Sequence, residues 1–302
     1  MTKQRLGERR RTDIEFLRVL SCLGIVYFHS GVFSGLANNI AYSGLTFFIL
    51  VSLYFANIRR NVFENLTNTI RKVFPAFACW SVIYIVLAIV IADKDPSEFL
   101  KPLTLITGGS IHLWYLPFII FAIPLTVCFM RSMSRRWLFG LMFSLYVVWM
   151  ATSLTWREIA SDFPLPAPQY LHAIGAVFLA LWLSGGGGKV RYLAIFISLC
   201  LGAYVAYAGQ PGVGVVYFLT TLYGLIVIQK SDLIRSEGLI AQRLSPLTFG
   251  IYLVHPLLIS VASRVGFADS IFMPLSVFVG SAIAIQLYLM CTPSFMHKLV
   301  RV

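Results

Sequence analysis

Apolar residues fall into ten stretches along this chain, near 14–33, 40–57, 73–92, 112–130, 137–154, 170–184, 190–208, 212–229, 248–265 and 271–292. Most reach or approach the ~20 residues that an α-helix needs to cross hydrocarbon. The stretch at 170–184 is the shortest, and the pair around 190–229 is divided only by Gly209, Gln210, Pro211 and Gly212. The pattern predicts an all-α polytopic membrane protein, a bundle of about ten transmembrane helices. Residues 1–12 form a basic cytoplasmic tail, and 13–302 form a single ten-helix transmembrane domain.

Composition agrees with that pattern. The 302 residues are 58% hydrophobic and only 12% charged, whereas soluble domains carry about 25% charged residues. Mean hydropathy is +0.81. The net charge of +12 would suit a nucleic-acid partner, but its placement excludes that class. With the N-terminus inside, nineteen Lys and Arg lie in inner segments and four in outer ones, Arg18 set aside. That is a strong positive-inside bias, and both termini are expected in the cytoplasm. Lys94, Lys101, Arg157 and Arg264 are the outer cations. The two longest outer loops, 93–111 and 155–169, are places where a substrate outside the cell could touch.

The first stretch retains its place as a helix rather than a cleaved signal, because it lacks a small-residue cleavage pattern and holds Arg18 and His29. The five cysteines all fall inside apolar runs without close pairing and read as free thiols buried as small hydrophobes. Ser245 and Pro246 read as an N-cap and first helical residue. Pro117, Pro124 and Pro256 are expected to kink their helices, and Gly31 and Gly35 to permit close helix approach. Gly185–Gly188 reads as a flexible linker, since no strand precedes it and no Ser or Thr follows its lysine.

Arg18 and His29 are eleven residues apart in the first helix. That spacing brings them within ~20° of one face and separates them by ~16 Å along the axis. Ionisable groups are costly in a bilayer, so the pair marks a functional site. Arg18 either binds phosphate as a bidentate donor or snorkels to headgroups. His29 is either a proton acceptor, whose unperturbed pKa suits work near neutral pH, a nucleophile, or a structural histidine. Glu15 is the i,i+3 partner of Arg18 or helps orient the site, and Asp13 reads as an interfacial or N-cap carboxylate. His112 opens the fourth span and could approach His29, although Trp114 and Tyr115 beside it fit an outer aromatic belt equally well. His255 reads as a packing or proline-kink partner, and His172 and His297 as interfacial.

Five ordered blocks carry a family resemblance. IEFLRVLSCLGIVYFH at 14–29 has an acidic residue before an Arg-x10-His helix; SGLTFFILVSLYFA at 43–56 has a Phe-Phe-x-x-x-Ser core, with Leu53 where a glycine is usual. IRKVFPAFACWSVI at 70–83, HLWYLPFII at 112–120 and SPLTFGIYLVHPLL at 245–258 follow. In this order they resemble the membrane-bound acyltransferase-3 family, and the chain is similar to a standalone member without the fused SGNH-hydrolase-like domain of many relatives. The resemblance implies an acyltransferase for groups other than aminoacyl. It would move an acyl group, acetyl in the usual case, from cytosolic acyl-CoA to a sugar hydroxyl of a surface polysaccharide or exopolysaccharide. It implies His29, with Glu15 and His112, for catalysis, and Arg18, Arg71 and Lys72 for the CoA phosphates. It further implies the bacterial cytoplasmic (inner) membrane, a glycan acceptor, a possible link to polysaccharide assembly machinery, and no metal. A transporter or flippase of a polysaccharide precursor is the rival from composition alone, since ten spans with intramembrane charges suit it too.

Overall fold

The computed structural model describes residues 11–56, 61–229, 239–268 and 270–301. The expected cations Lys3, Arg5, Arg9, Arg10, Arg59, Arg60, Lys230 and Arg235, and nearly all of the basic tail, lie outside the described residues.

Ten long helices overlie the ten apolar stretches: α1 (Thr12–Ser30), α2 (Gly35–Tyr54), α3 (Val62–Ala92), α4 (Tyr115–Ser132), α5 (Arg135–Ala151), α6 (Ala167–Gly185), α7 (Gly188–Tyr207), α8 (Pro211–Val227), α9 (Thr248–Arg264) and α10 (Met273–Cys291). No strand occurs among the described residues. Among the described residues, seven helices are long and apolar enough to cross a bilayer, or eight if α5 and the Ser153–Ser161 helix, bent 69° at their junction, form one crossing. α8 is shorter at 17 residues, and α1 carries Asp13, Glu15 and Arg18. Large apolar side chains such as Val82 and Val86 on α3 and Phe196 on α7 stay exposed, as lipid-facing positions do. The chain is a polytopic all-α membrane protein.

Two packing groups organise the bundle. α2 packs on α6 and α8, α5 on α6, and α7 on α8, around the fully buried Trp182, Tyr146 and Tyr217. A smaller core joins α1 to α9 and α10 through Cys22, Val26, Ile251 and Val277. α1 is seated on α2 by two backbone approaches. A Cβ on Gly44 would lie 2.3 Å from the Ser21 carbonyl oxygen, and one on Gly24 would lie 2.9 Å from that of Ala41. Only glycine permits such contact. Gly31 and Gly35 were expected in this role, but a Cβ on either would meet nothing within 4 Å; their positive φ values serve the turn between the two helices instead.

Other local expectations change for identifiable reasons. α3 begins eleven residues earlier than its apolar run, because Asn61 and Glu64 form a reciprocal capping box. Pro117 lies in the first turn of α4, where a missing N–H costs nothing, whereas Pro124 and Pro256 are internal. Ser245 opens a short 3-10 turn before α9 and caps nothing; its hydroxyl donates to Glu15. Gly185 and Gly186 are close-packed against Phe139 rather than forming a free linker. All five cysteines are free, but only Cys22 is buried.

Candidate active site

The Thr12 end of α1 is tied down by polar contacts. The Arg11 guanidinium donates to the Ile226 and Val227 carbonyls at 2.9 and 3.1 Å and pairs with Asp13 at 2.6 Å. These carbonyls belong to the last turn of α8, where helix carbonyls turn to side-chain donors. Asp13 is therefore a buried ion-pair partner rather than an interfacial carboxylate. Glu15 is also buried and accepts the Ser245 hydroxyl, linking α1 to the start of α9. Its other oxygen stands 3.7 Å from Arg18, the i,i+3 pairing expected from the sequence.

Arg18 points into the bundle. The hydroxyl of the buried Tyr115 lies near both Arg18 and Ser52. Tyr115 packs against Tyr252, whose ring packs in turn against His112, each pair with centroids 5.7 Å apart. A wall of aromatic side chains thus runs from the Arg18 level to the histidine level, on the side of α1 that faces α4 and α9. Leu53, which stands where a glycine is usual, is fully buried beside Ser52.

His29 occupies the last turn of α1, just before Gly31 ends the helix with φ +70°. Its side chain is exposed, while His112 and His255 are buried behind it. Ring centroids lie 5.1 Å apart for His29 and His255, 6.4 Å for His29 and His112, and 5.8 Å for His112 and His255. Among the described residues no group of His, Cys, Asp or Glu is arranged to hold a metal ion. Ile25, Phe28, His29, Tyr42, Leu45, His112, Trp114 and Tyr252 line a cavity of about 20 Å³. That is room for roughly one water molecule.

His112 reaches this position because the segment before α4 folds back into the bundle. Three short helices, Pro96–Leu100, Thr104–Thr107 and Ile111–Trp114, follow α3. Gly108 and Gly109 press against Ser81, which lies eleven residues before the end of α3, or ~16 Å along it. Trp114 is buried against Tyr170 and Phe118 rather than standing in an outer aromatic belt. The Tyr252 hydroxyl donates to the His112 carbonyl, and the Ser110 hydroxyl lies 2.9 Å from His112 Nδ1. The Tyr84 hydroxyl donates to the Leu253 carbonyl at 2.7 Å, holding α3 to α9 beside the cluster.

The structure therefore brings His29 and His112 together and places Arg18 on the same side of the bundle. It does not bring Glu15 to them: fourteen residues of one helix set it ~21 Å from His29. Arg71 and Lys72 are exposed on α3 and form no ion pair among the described residues. At ~46 Å for 31 residues, α3 exceeds the ~30 Å of hydrocarbon by about ten residues, which puts both cations near the bilayer boundary. Sequence reasoning missed Tyr252, Tyr84, Tyr115 and the placement of His255. It also missed that His172 is not interfacial but lies among Tyr42, Trp149, Trp156 and Tyr217, with Nε2 3.0 Å from the Gly212 carbonyl.

A family model described as an acyltransferase domain matches residues 11–290, nearly the whole chain. No curated protein and no solved structure matches.

Proposed function

The chain belongs to the family of that acyltransferase domain, and on this premise we propose that it moves an acyl group from cytosolic acyl-CoA, with acetyl-CoA the leading donor, to a glycan hydroxyl across the bacterial inner membrane. The observation that carries the reading is an exposed His29, backed by two buried histidines, on the same side of the bundle as Arg18. The inner bias of Lys and Arg sets the Arg18 end toward the cytosol.

In this reading Arg18 binds the donor's phosphates as a planar, permanently charged fork, with Arg71 and Lys72 as further cations at the boundary. The ~16 Å from Arg18 to His29 is on the scale of an extended pantetheine arm, so phosphates held at the inner mouth deliver the thioester to the imidazole level. His29 takes the proton of the acceptor hydroxyl as its oxygen attacks the thioester carbonyl. The new C–O bond forms, the C–S bond breaks, and the CoA thiolate leaves and is protonated. A variant of the same chemistry has His29 carry the acyl group between donor and acceptor. Glu15 serves as a positioning residue, holding Arg18 and the α1–α9 junction. His112, buried against His29 and fixed by Tyr252 and Ser110, lines the site opposite the base.

The test is transfer of radiolabel from acetyl-CoA to surface glycan by purified, reconstituted protein. His29→Ala should lower transfer by at least about 100-fold, as loss of an acid–base group does, while inserting and folding normally. Wild-type transfer by that variant would sink the assignment of His29, and glycan uptake without labelling would favour transport.

A further inference from the structure

The residue His255–Pro256 pair does more than bend α9. In a regular helix the Tyr252 carbonyl would accept from the backbone N–H four residues on, but that residue is Pro256, which has none. The His255 side chain fills the gap: its Nδ1 lies 2.8 Å from the Tyr252 carbonyl oxygen and 3.2 Å from that of Ile251. Both partners are carbonyls and can only accept, so Nδ1 carries the hydrogen. A neutral His255 then has its lone pair on Nε2. That nitrogen is buried, has no hydrogen-bond partner, and belongs to a fully buried side chain whose ring is 5.1 Å from that of His29. A buried polar atom without a partner calls for a physical explanation.

We infer that His255 is a positioning residue for the proposed acyl transfer: its Nε2 accepts the ring N–H of His29 and so leaves the opposite nitrogen of His29 as the lone pair facing the acceptor hydroxyl. The rings are inclined at 48°, and the terminal torsion of a histidine is soft, so a turn of the exposed His29 ring closes the bond without moving either helix. When His29 takes the hydroxyl proton, both its nitrogens become donors, and the His255 lone pair stabilises the imidazolium. A proline thereby fixes one tautomer, and that tautomer fixes the next. His112 is the other ring packed on His255, at 5.8 Å, and its Nε2 is also without a partner; a contact of His29 with His112 instead would leave the His29 shifts unchanged in the His255→Asn variant below.

This inference rests on the acyltransferase reading, but one readout does not. Histidine-selective 15N labelling of the full chain in nanodiscs should show His29 as a single neutral tautomer in the wild type and as a mixture in His255→Asn. Asparagine retains an amide donor for the Tyr252 carbonyl, so this variant should melt like the wild type, but it has no group at the Nε2 position. In the transfer assay it should lower kcat by at least about 10-fold with the donor KM unchanged, since loss of a tautomer-setting partner costs up to about 10⁴-fold. His255→Gln, which restores an acceptor at the Nε2 distance, should recover part of the loss. Unchanged His29 nitrogen shifts in His255→Asn would overturn the contact even in a protein that transferred no acyl group. Altered shifts with a wild-type kcat would overturn the positioning role alone.

Discussion

At its Thr12 end α1 meets the bundle through Arg11, Asp13, Glu15 and Ser245, and every one of these buried or half-buried groups has a named partner. At its Ser30 end the same helix meets His112 and His255, and there two ring nitrogens, Nε2 of each, have none. Both ends place polar atoms in a setting where an unmade hydrogen bond costs roughly 1–3 kcal/mol. The first end uses polarity to assemble helices. The second keeps polarity uncommitted, beside an exposed imidazole. Arg18 stands between the two regimes: its ion pair with Glu15 is long at 3.7 Å, and its side chain is 37% exposed.

Substitutions at the two ends should therefore separate into different readouts. After loss of His29, the largest effect expected is from Arg18→Gln. It should raise the acyl-CoA KM by about 10- to 100-fold, the value of one charge-assisted phosphate contact, with little change in melting temperature. A donor KM equal to that of the wild type would make Arg18 part of the structural end. Glu15→Ala should show the opposite signature. It strands the Ser245 hydroxyl and should cost about 1–3 kcal/mol of stability, read as a lower melting temperature, with kcat at saturating donor nearly intact. A collapse of kcat without loss of stability would move Glu15 into the chemistry. Smallest is Lys72→Ala, an exposed cation whose loss should change the donor KM by less than about fivefold, since exposed charge contacts are worth ~1 kcal/mol or less.

The face shared by Arg18 and His29 was legible in the sequence because both sit on one uninterrupted helix, where spacing alone sets angle and rise. The long helices were legible because a segment that crosses hydrocarbon must satisfy its backbone internally, which leaves long apolar runs. What escaped depended on contacts between distant segments. The fold-back of residues 96–114 looks like an ordinary polar loop, and only the approach of Gly108 and Gly109 to Ser81 shows that it descends beside α3. The close packing of α1 on α2 falls at Gly24 and Gly44, while Gly31 and Gly35, whose spacing drew attention, merely turn the chain. The reading of His255 as a proline-kink partner holds at the Tyr252 carbonyl; what escaped is that its ring also packs 5.1 Å from that of His29.

The cavity beside His29 holds roughly one water molecule. A chamber of that size has no room for a sugar ring, so under the proposed acyl transfer the ring of the acceptor would rest outside it and extend one hydroxyl inward. Recognition at such an aperture would sample the immediate surroundings of one alcohol.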